Sequence, residues 1–175
     1  MSRAVRFAPL AVFVLLVVSL IWRLSTPIDT NVRSKLEGQA VPSFPPVAAA
    51  QGVMAFGSDD LADGQPHLVN FFASWCVPCI SEVKVLQDLK TRGAPIYGIA
   101  VRDEMEDADV FLTQYGNPYA LITADPQSKI QIAFGSSGVP ETFVVDGRGI
   151  IRYQHIGPIG EKEIPLILSK LEQAK

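Results

Sequence analysis

The sequence predicts an α/β domain, a central mixed sheet flanked by helices, behind an N-terminal transmembrane anchor helix. Three observations carry this. Two short apolar runs, His67–Ala73 and Pro95–Val101, bracket a stretch with helical spacing. A later pair of runs flanks a turn sequence and is followed by a last helical stretch. The first residues of the chain hold a long apolar stretch without charge.

Phe7–Trp22 carries no charged side chain. As a helix it would be about 24 Å long, slightly short of a hydrocarbon core of about 30 Å. Flanking Ala4, Val5 and Leu24, with Arg6 and Arg23 snorkelling outward, close most of that gap. The run ends in Ser19-Leu20-Ile21-Trp22-Arg23-Leu24, which lacks the small-residue pattern of a signal peptidase site, so an uncleaved signal-anchor is expected, with a cleaved signal peptide as the alternative. Arg3, Arg6 and the terminal amine place the N-terminus in the cytoplasm and the remainder outside it. In a bacterium this means one pass through the inner membrane and a domain on the oxidising periplasmic side. The expected organisation is an anchor at 1–24, a polar linker at 25–36 and a domain at 37–175. The Pro-rich stretch Val41–Pro46 is extended and is expected to wrap the domain edge.

His67–Ala73 follows Gly64-Gln65-Pro66 and reads as a buried central strand. From Cys79 to Leu89, apolar residues recur at Ile80, Val83, Leu86 and Leu89, which is helical spacing. Pro95–Val101 is a second buried strand, completing a parallel strand–helix–strand unit. A helix is expected over Asp107–Tyr115, ended by Gly116-Asn117-Pro118. Tyr119–Thr123 is a short strand or extended piece, and Asp125-Pro126 could cap and start a helix running to about Phe134. Thr142–Val145 and Ile150–His155 flank Asp146-Gly147-Arg148-Gly149 as a hairpin. Gly160–Ala174 closes the chain as a helix with Pro165 in its first turn.

The formal net charge is −3, and without the three N-terminal arginines the remainder is more acidic still. No cluster of Lys and Arg is present, which argues against nucleic acid as a partner. Cys76 and Cys79 are the only cysteines. A structural zinc site needs four ligands, and His67 and His155 do not stand at finger-like spacing. A disulfide closing so short a loop constrains the unfolded chain little, so a redox role gains weight over a structural one. No metal and no cofactor are expected.

The segment Ala73-Ser74-Trp75-Cys76-Val77-Pro78-Cys79 joins the first strand to the helix and places Cys76 at the helix N-terminus. Free backbone N–H groups and the helix dipole favour an anion there, and a thiolate is the nucleophile in disulfide exchange. Cys79 sits one turn in, able to attack a mixed disulfide at Cys76. Pro78 lacks an N–H where the first turn tolerates its loss, and Trp75 packs beside the site. Pro140, ahead of what reads as an edge strand, is a candidate cis proline that would shape a substrate groove; a plain strand-start proline is the alternative. Glu82 or Glu141, if buried near the sulfurs, could exchange protons with Cys79, although Glu82 could equally be a solvated helix residue. Asn70 cannot titrate, and His155 reads as a strand-surface histidine.

Trp75-Cys76-Val77-Pro78-Cys79 together with Pro140 resembles the thioredoxin superfamily. Leu36–Phe44, Val69–Glu82, Gly116-Asn117-Pro118-Tyr119 and Gly138–Asp146 narrow the likeness, and Ile151–Pro158 extends it. Within the superfamily the chain resembles the membrane-anchored thiol:disulfide interchange proteins of cytochrome c maturation, the DsbE/CcmG type, over roughly residues 35 to 175. The resemblance implies a thioredoxin-like fold and a protein-disulfide reductase with a redox-active Cys76–Cys79 disulfide. Cys76 would be the attacking thiol, Cys79 the resolving thiol and Pro140 the cis proline, with Glu82 and Glu141 at acidic positions of the groove. The implied partners are apocytochrome c or a cytochrome c maturation thiol protein, with a membrane thiol-electron transporter as donor. Ordinary thioredoxins carry an Asp where Asn70 stands; the cytochrome-maturation type also lacks it. The chain departs from the pattern at Val83-Lys84, where the family often shows His then Pro, and at Ser136-Ser137, in place of a more usual Val-Tyr. A general extracytoplasmic disulfide reductase or oxidase is the nearest rival reading. A CxxC copper carrier and a non-catalytic assembly scaffold are more distant ones.

Overall fold

His67–Phe72 forms β1, and every residue in it is buried. A strand hidden on both faces needs apolar side chains at every position rather than alternating ones, and HLVNFF supplies them except at His67 and Asn70. The computed structural model describes residues 12–19 and 36–175. The chain divides into two units, Met1–Val32 and Arg33–Lys175. Of the first unit, residues 12–19 form a helix, α1, whose side chains are exposed. The rest of the expected anchor at 1–24, and all of the linker before residue 36, lie outside the described residues. Among the described residues no helix is long and apolar enough to cross a membrane.

In the second unit β1 is followed by α2 (Val77–Thr91), β2 (Ile96–Val101), α3 (Met105–Tyr115), β3 (Leu121–Asp125), α4 (Lys129–Ala133), β4 (Glu141–Val145), β5 (Ile151–Ile156) and α5 (Ile164–Gln173). The sheet order is β3-β2-β1-β4-β5. β1, β2 and β3 run parallel, with Phe71 opposite Ile99 and Val101 opposite Asp125. β4 is antiparallel to both β1 and β5, with Phe71 opposite Glu141. This is the mixed sheet of a thioredoxin-like α/β fold.

Strand alternation divides the core between the two faces. On one, Leu68, Phe72, Ile96, Ile122 and Val144 meet Val83, Leu86 and Leu89 of α2, Phe111 of α3 and Ile167 and Leu171 of α5. On the other, Val69, Phe71, Ile99, Phe143 and Val145 meet Phe44, Phe56, Ile130 and Phe134. The second core is aromatic: the rings of Phe71, Phe134 and Phe143 lie 5.2 to 5.6 Å apart, mutually edge-on, the arrangement their quadrupoles favour. On the first face Phe72 stacks on Tyr119 at 4.7 Å. Gly98 of β2 makes room for this pair, since a Cβ there would come within 3.0 Å of both rings.

The Pro-rich segment crosses from one sheet edge to the other. Ala40 bridges Ile150 beside β5, Phe44 enters the second core, and Ala48 bridges Thr123 of β3. Both edge strands thereby gain backbone partners.

Four expectations are corrected. The strand expected at Tyr119–Thr123 lies two residues later, because Tyr119 turns into the first core while Leu121–Asp125 pairs with β2. Asp125 does not cap a helix beginning at Pro126. Its backbone is in the β2–β3 ladder, Ser128 turns through a left-handed conformation, and α4 begins at Lys129, with the Asp125 carboxylate accepting the Gln131 N–H at 2.8 Å. The last helix starts at Ile164, after a turn in which Glu163 accepts the Gly160 N–H; Pro165 does stand in its first turn. The strand after Pro140 is no edge: β4 lies between β1 and β5.

Phe71→Ala would empty the centre of the aromatic core. It is expected to cost about 3–5 kcal/mol, read as a lower urea midpoint with an unchanged slope.

Candidate active site

β1 ends at Phe72 in the middle of the sheet, and Ala73-Ser74-Trp75 carry the chain up to α2. Cys76 is the N-cap of that helix, with extended backbone, and its Sγ accepts the N–H of Cys79 at 3.2 Å. The same N–H also bonds the Cys76 carbonyl at 3.1 Å, so the sulfur shares a donor at the start of the helix. Pro78 falls in the first turn, where its missing N–H breaks no bond. Cys76 and Cys79 are joined in a disulfide with a Cα–Cα distance of 5.3 Å. Both are buried, whereas Trp75 and Val77 on either side of Cys76 are 57% and 74% exposed. The sulfurs therefore sit under an apolar rim.

The register brings the other elements to the same end of the sheet. Glu141 opens β4 opposite Phe71, so buried Pro140, immediately before it, stands beside the end of β1. The Val139–Pro140 peptide is cis. The Pro140 carbonyl accepts the N–H of Gly157 at 3.1 Å, tying this turn to the end of β5.

Glu82 lies one turn beyond Cys79 on α2 and is 1% exposed. Its Oε1 accepts the Ile159 N–H at 2.8 Å, and its Oε2 is 3.3 Å from Asn70 Nδ2. Asn70 also donates to Thr142 Oγ1 at 2.9 Å and accepts from the Tyr119 hydroxyl at 2.7 Å. Burial raises the Glu82 carboxyl to about 7, against the two donors, which pull it down. Tyr119 is pushed well above its usual value by burial and by the nearby Glu82 charge. Glu82 is therefore the member of this set that changes charge near neutral pH.

Glu141 is equally buried but belongs to a different set. Its Oε2 accepts from the Ser136 hydroxyl and the Ser137 N–H, and its Oε1 from Gln154 Nε2. Paired residues across a sheet share a face, so Glu141, opposite Phe71, points into the aromatic side, away from α2. The two carboxylates do not act on one spot. His155 is half-buried on β5, with Nε2 3.4 Å from the Pro158 carbonyl.

Sequence reading missed the residue that holds the loop ahead of Cys76. Asp103, just after β2, accepts the Ser74 N–H at 2.7 Å and the Ser74 hydroxyl at 2.5 Å. Burial lifts its carboxyl above the ordinary value, and the charge of Asp107 adds to this, opposing the Ser74 bonds. Its signal was faint: an acid following a strand that ends beside the cysteine loop. Among the described residues no group of three or more His, Cys, Asp or Glu is arranged to hold a metal ion.

The redoxin family pattern matches residues 36–171. The chain belongs to the redoxin family. It is 34% identical over 166 residues to the thiol:disulfide interchange protein DsbE of Escherichia coli strain K12, spanning 93% of this chain and 90% of that protein. It is 46% identical over 109 residues to the thiol:disulfide interchange protein HelX of Rhodobacter capsulatus, 62% of each chain. A solved structure of a DsbE-type protein from Chlorobium tepidum superposes with a TM-score of 0.64 at 22% identity, over 79% of this chain and 96% of that one, which bears on the fold. This redoxin is a DsbE-like thiol:disulfide oxidoreductase with a CxxC cysteine pair.

Because the folded state holds Glu82 protonated over a range where the unfolded chain has lost that proton, stability falls as pH rises from about 4.5 to about 7. Above that range the penalty is constant, at roughly 3 kcal/mol. Glu82→Gln is expected to flatten this part of the stability–pH curve, measured by urea denaturation at steps between pH 4 and pH 8. An unchanged slope would show that the Glu82 carboxyl titrates in the fold as it does in the unfolded chain.

Proposed function

We propose that this redoxin is a membrane-anchored reductant on the periplasmic side of a bacterial inner membrane. Its substrate would be the disulfide of apocytochrome c, or of a partner thiol protein, during cytochrome c biogenesis. Residues 1–24 would serve as the single-pass anchor and 25–36 as the tether for a catalytic domain at 37–175. The observation that carries the reading is the Cys76–Cys79 pair at the cap of α2, in a chain similar to DsbE of Escherichia coli over nine-tenths of that protein. Gly116–Tyr119 and Val139–Phe143, outside the cysteine motif, support the cytochrome-maturation type.

In this mechanism the reduced protein carries a Cys76 thiolate, stabilised by the Cys79 N–H and the start of α2. It attacks one sulfur of the substrate disulfide, forming a mixed disulfide and releasing the first substrate thiolate. Cys79 gives up its proton to Glu82, whose raised pKa suits it to proton transfer at neutral pH. The Cys79 thiolate then attacks the Cys76 sulfur, re-forming the disulfide and releasing the second thiolate. Two electrons reach the substrate, and a membrane thiol-electron transporter restores the dithiol. Trp75 and Val77, exposed beside Cys76, and Pro140 at the neighbouring strand end would form the rim on which an extended substrate rests. Glu141 would shape that rim by holding the 136–137 turn.

Cys79→Ser is expected to trap a mixed disulfide through Cys76, and the trapped protein, identified by mass spectrometry, to be an apocytochrome c or a cytochrome-maturation thiol protein. Cys76→Ser is expected to fold normally and to lose reductase activity by several orders of magnitude. Trapping of unrelated periplasmic proteins would replace this reading with a general reductase. Failure to trap any protein would favour a scaffold.

A further inference from the structure

Arg102 and Asp103, the first residues after β2, both reach back to the segment ahead of Cys76. Asp103 takes the Ser74 N–H on Oδ2 and the Ser74 hydroxyl on Oδ1. The Arg102 carbonyl accepts the Trp75 indole N–H at 3.3 Å. Asp103 is 6% exposed, so water competes poorly for these bonds. The loop that provides them is itself braced. The Arg102 N–H bonds the Asp125 carbonyl at 3.1 Å, and Arg102 Nε bonds Ser128 Oγ at 2.8 Å. Arg102 has a φ of +51°, uncommon for a long side chain and maintained where surrounding contacts over-determine it. Three loops at one end of the sheet are thus linked in series, ending on the residue two places before Cys76.

The geometry points to a positioning role for Asp103 in thiol–disulfide exchange: by clamping Ser74 it fixes the short bridge that sets Cys76 at the cap of α2. This rests on Cys76 as the attacking thiol. In the oxidised form the disulfide also ties Cys76 to the helix. When that bond opens, the covalent tie is lost; the Cys79 N–H still bonds the Cys76 carbonyl, 3.1 Å long, on the helix side, and on the strand side the Ser74 clamp together with the Cys76 N–H to Ala73 carbonyl bond, 3.2 Å long, holds the sulfur over the helix start. The clamp therefore matters more to the dithiol than to the disulfide. Loosening it lets the Cys76 thiolate move off the helix cap, disfavouring the thiolate and, with it, the reduced form.

The test uses the full-length chain with Asp103→Ala, Asp103→Asn and Ser74→Ala. Two quantities are read: the pH midpoint of Cys76 alkylation by iodoacetamide in the reduced protein, and the exchange constant against glutathione buffers. Asp103→Ala is expected to lower the thiolate fraction at pH 7 about tenfold. The exchange constant should move about tenfold toward the disulfide, or about 30 mV. Asp103→Asn can still accept the Ser74 N–H and turn its amide toward the hydroxyl, so it should stay within about threefold of wild type. Ser74→Ala, which keeps the backbone bond, should fall between them. Wild-type values in Asp103→Ala would overturn the inference even if that variant melts earlier. So would an Asp103→Asn as damaged as Asp103→Ala, since charge rather than placement would then be responsible. Should Asp103→Ala fail to fold, Ser74→Ala decides: wild-type behaviour there refutes the clamp. A wild-type protein that shows no titrating thiol and no exchange with glutathione would instead refute Cys76 as the attacking thiol.

Discussion

At the start of α2 the N–H of Cys79 is shared between the carbonyl and the sulfur of Cys76. The arrangement depends on where α2 begins, and α2 begins where a strand buried on both faces runs out. β1 is central in the sheet, flanked by β2 and β4. Its end is therefore fixed from both sides: the Arg102–Asp103 loop follows β2, and the Val139–Pro140 turn precedes β4. A sulfur at an edge strand would lack one of these walls.

Beneath the disulfide the first core is polar as well as apolar. Asn70, Glu82, Tyr119 and Thr142 are buried together, and their bonds interlock. Such a set is tolerable because nearly every donor and acceptor in it has a partner. Asn70 spends both amide hydrogens and its carbonyl oxygen within the set, which leaves Glu82 as its one acid. An Asp at position 70 would put a second carboxyl within hydrogen-bond distance of Glu82, and repulsion would push their titrations apart. Asn70 keeps the set to a single proton site near neutral pH.

Much of this was legible in the sequence. β1, α2 and β2 show as apolar runs and helical spacing, and the turn at Asp146–Gly149 marks the hairpin. The three-residue step from Cys79 to Glu82 puts both on one stretch of helix whatever surrounds it. The β3–α4 region was not legible. Asp125 looks like a helix cap yet serves a strand through its backbone and a later helix through its side chain. Tyr119 looks like strand, but its hydroxyl is drawn to Asn70. Strand alternation at Glu141 and Thr142 implies opposite faces, but which face looks toward α2 follows from the pairing of β4 with β1, a long-range contact. Asp103 shows no periodicity at all, because its bond to Ser74 spans two loops distant in sequence.

The Pro-rich stretch works as a belt. It lies across the aromatic side of the sheet, presses Phe44 between Phe56 and Phe134, and is fastened beside Ile150 at one border and Thr123 at the other. A shortened version of this protein would need its cut placed ahead of Leu36. Trimming to His67, where the regular sheet begins, would unbuckle the belt, open a greasy socket and leave two bare margins along which neighbouring copies could zip together.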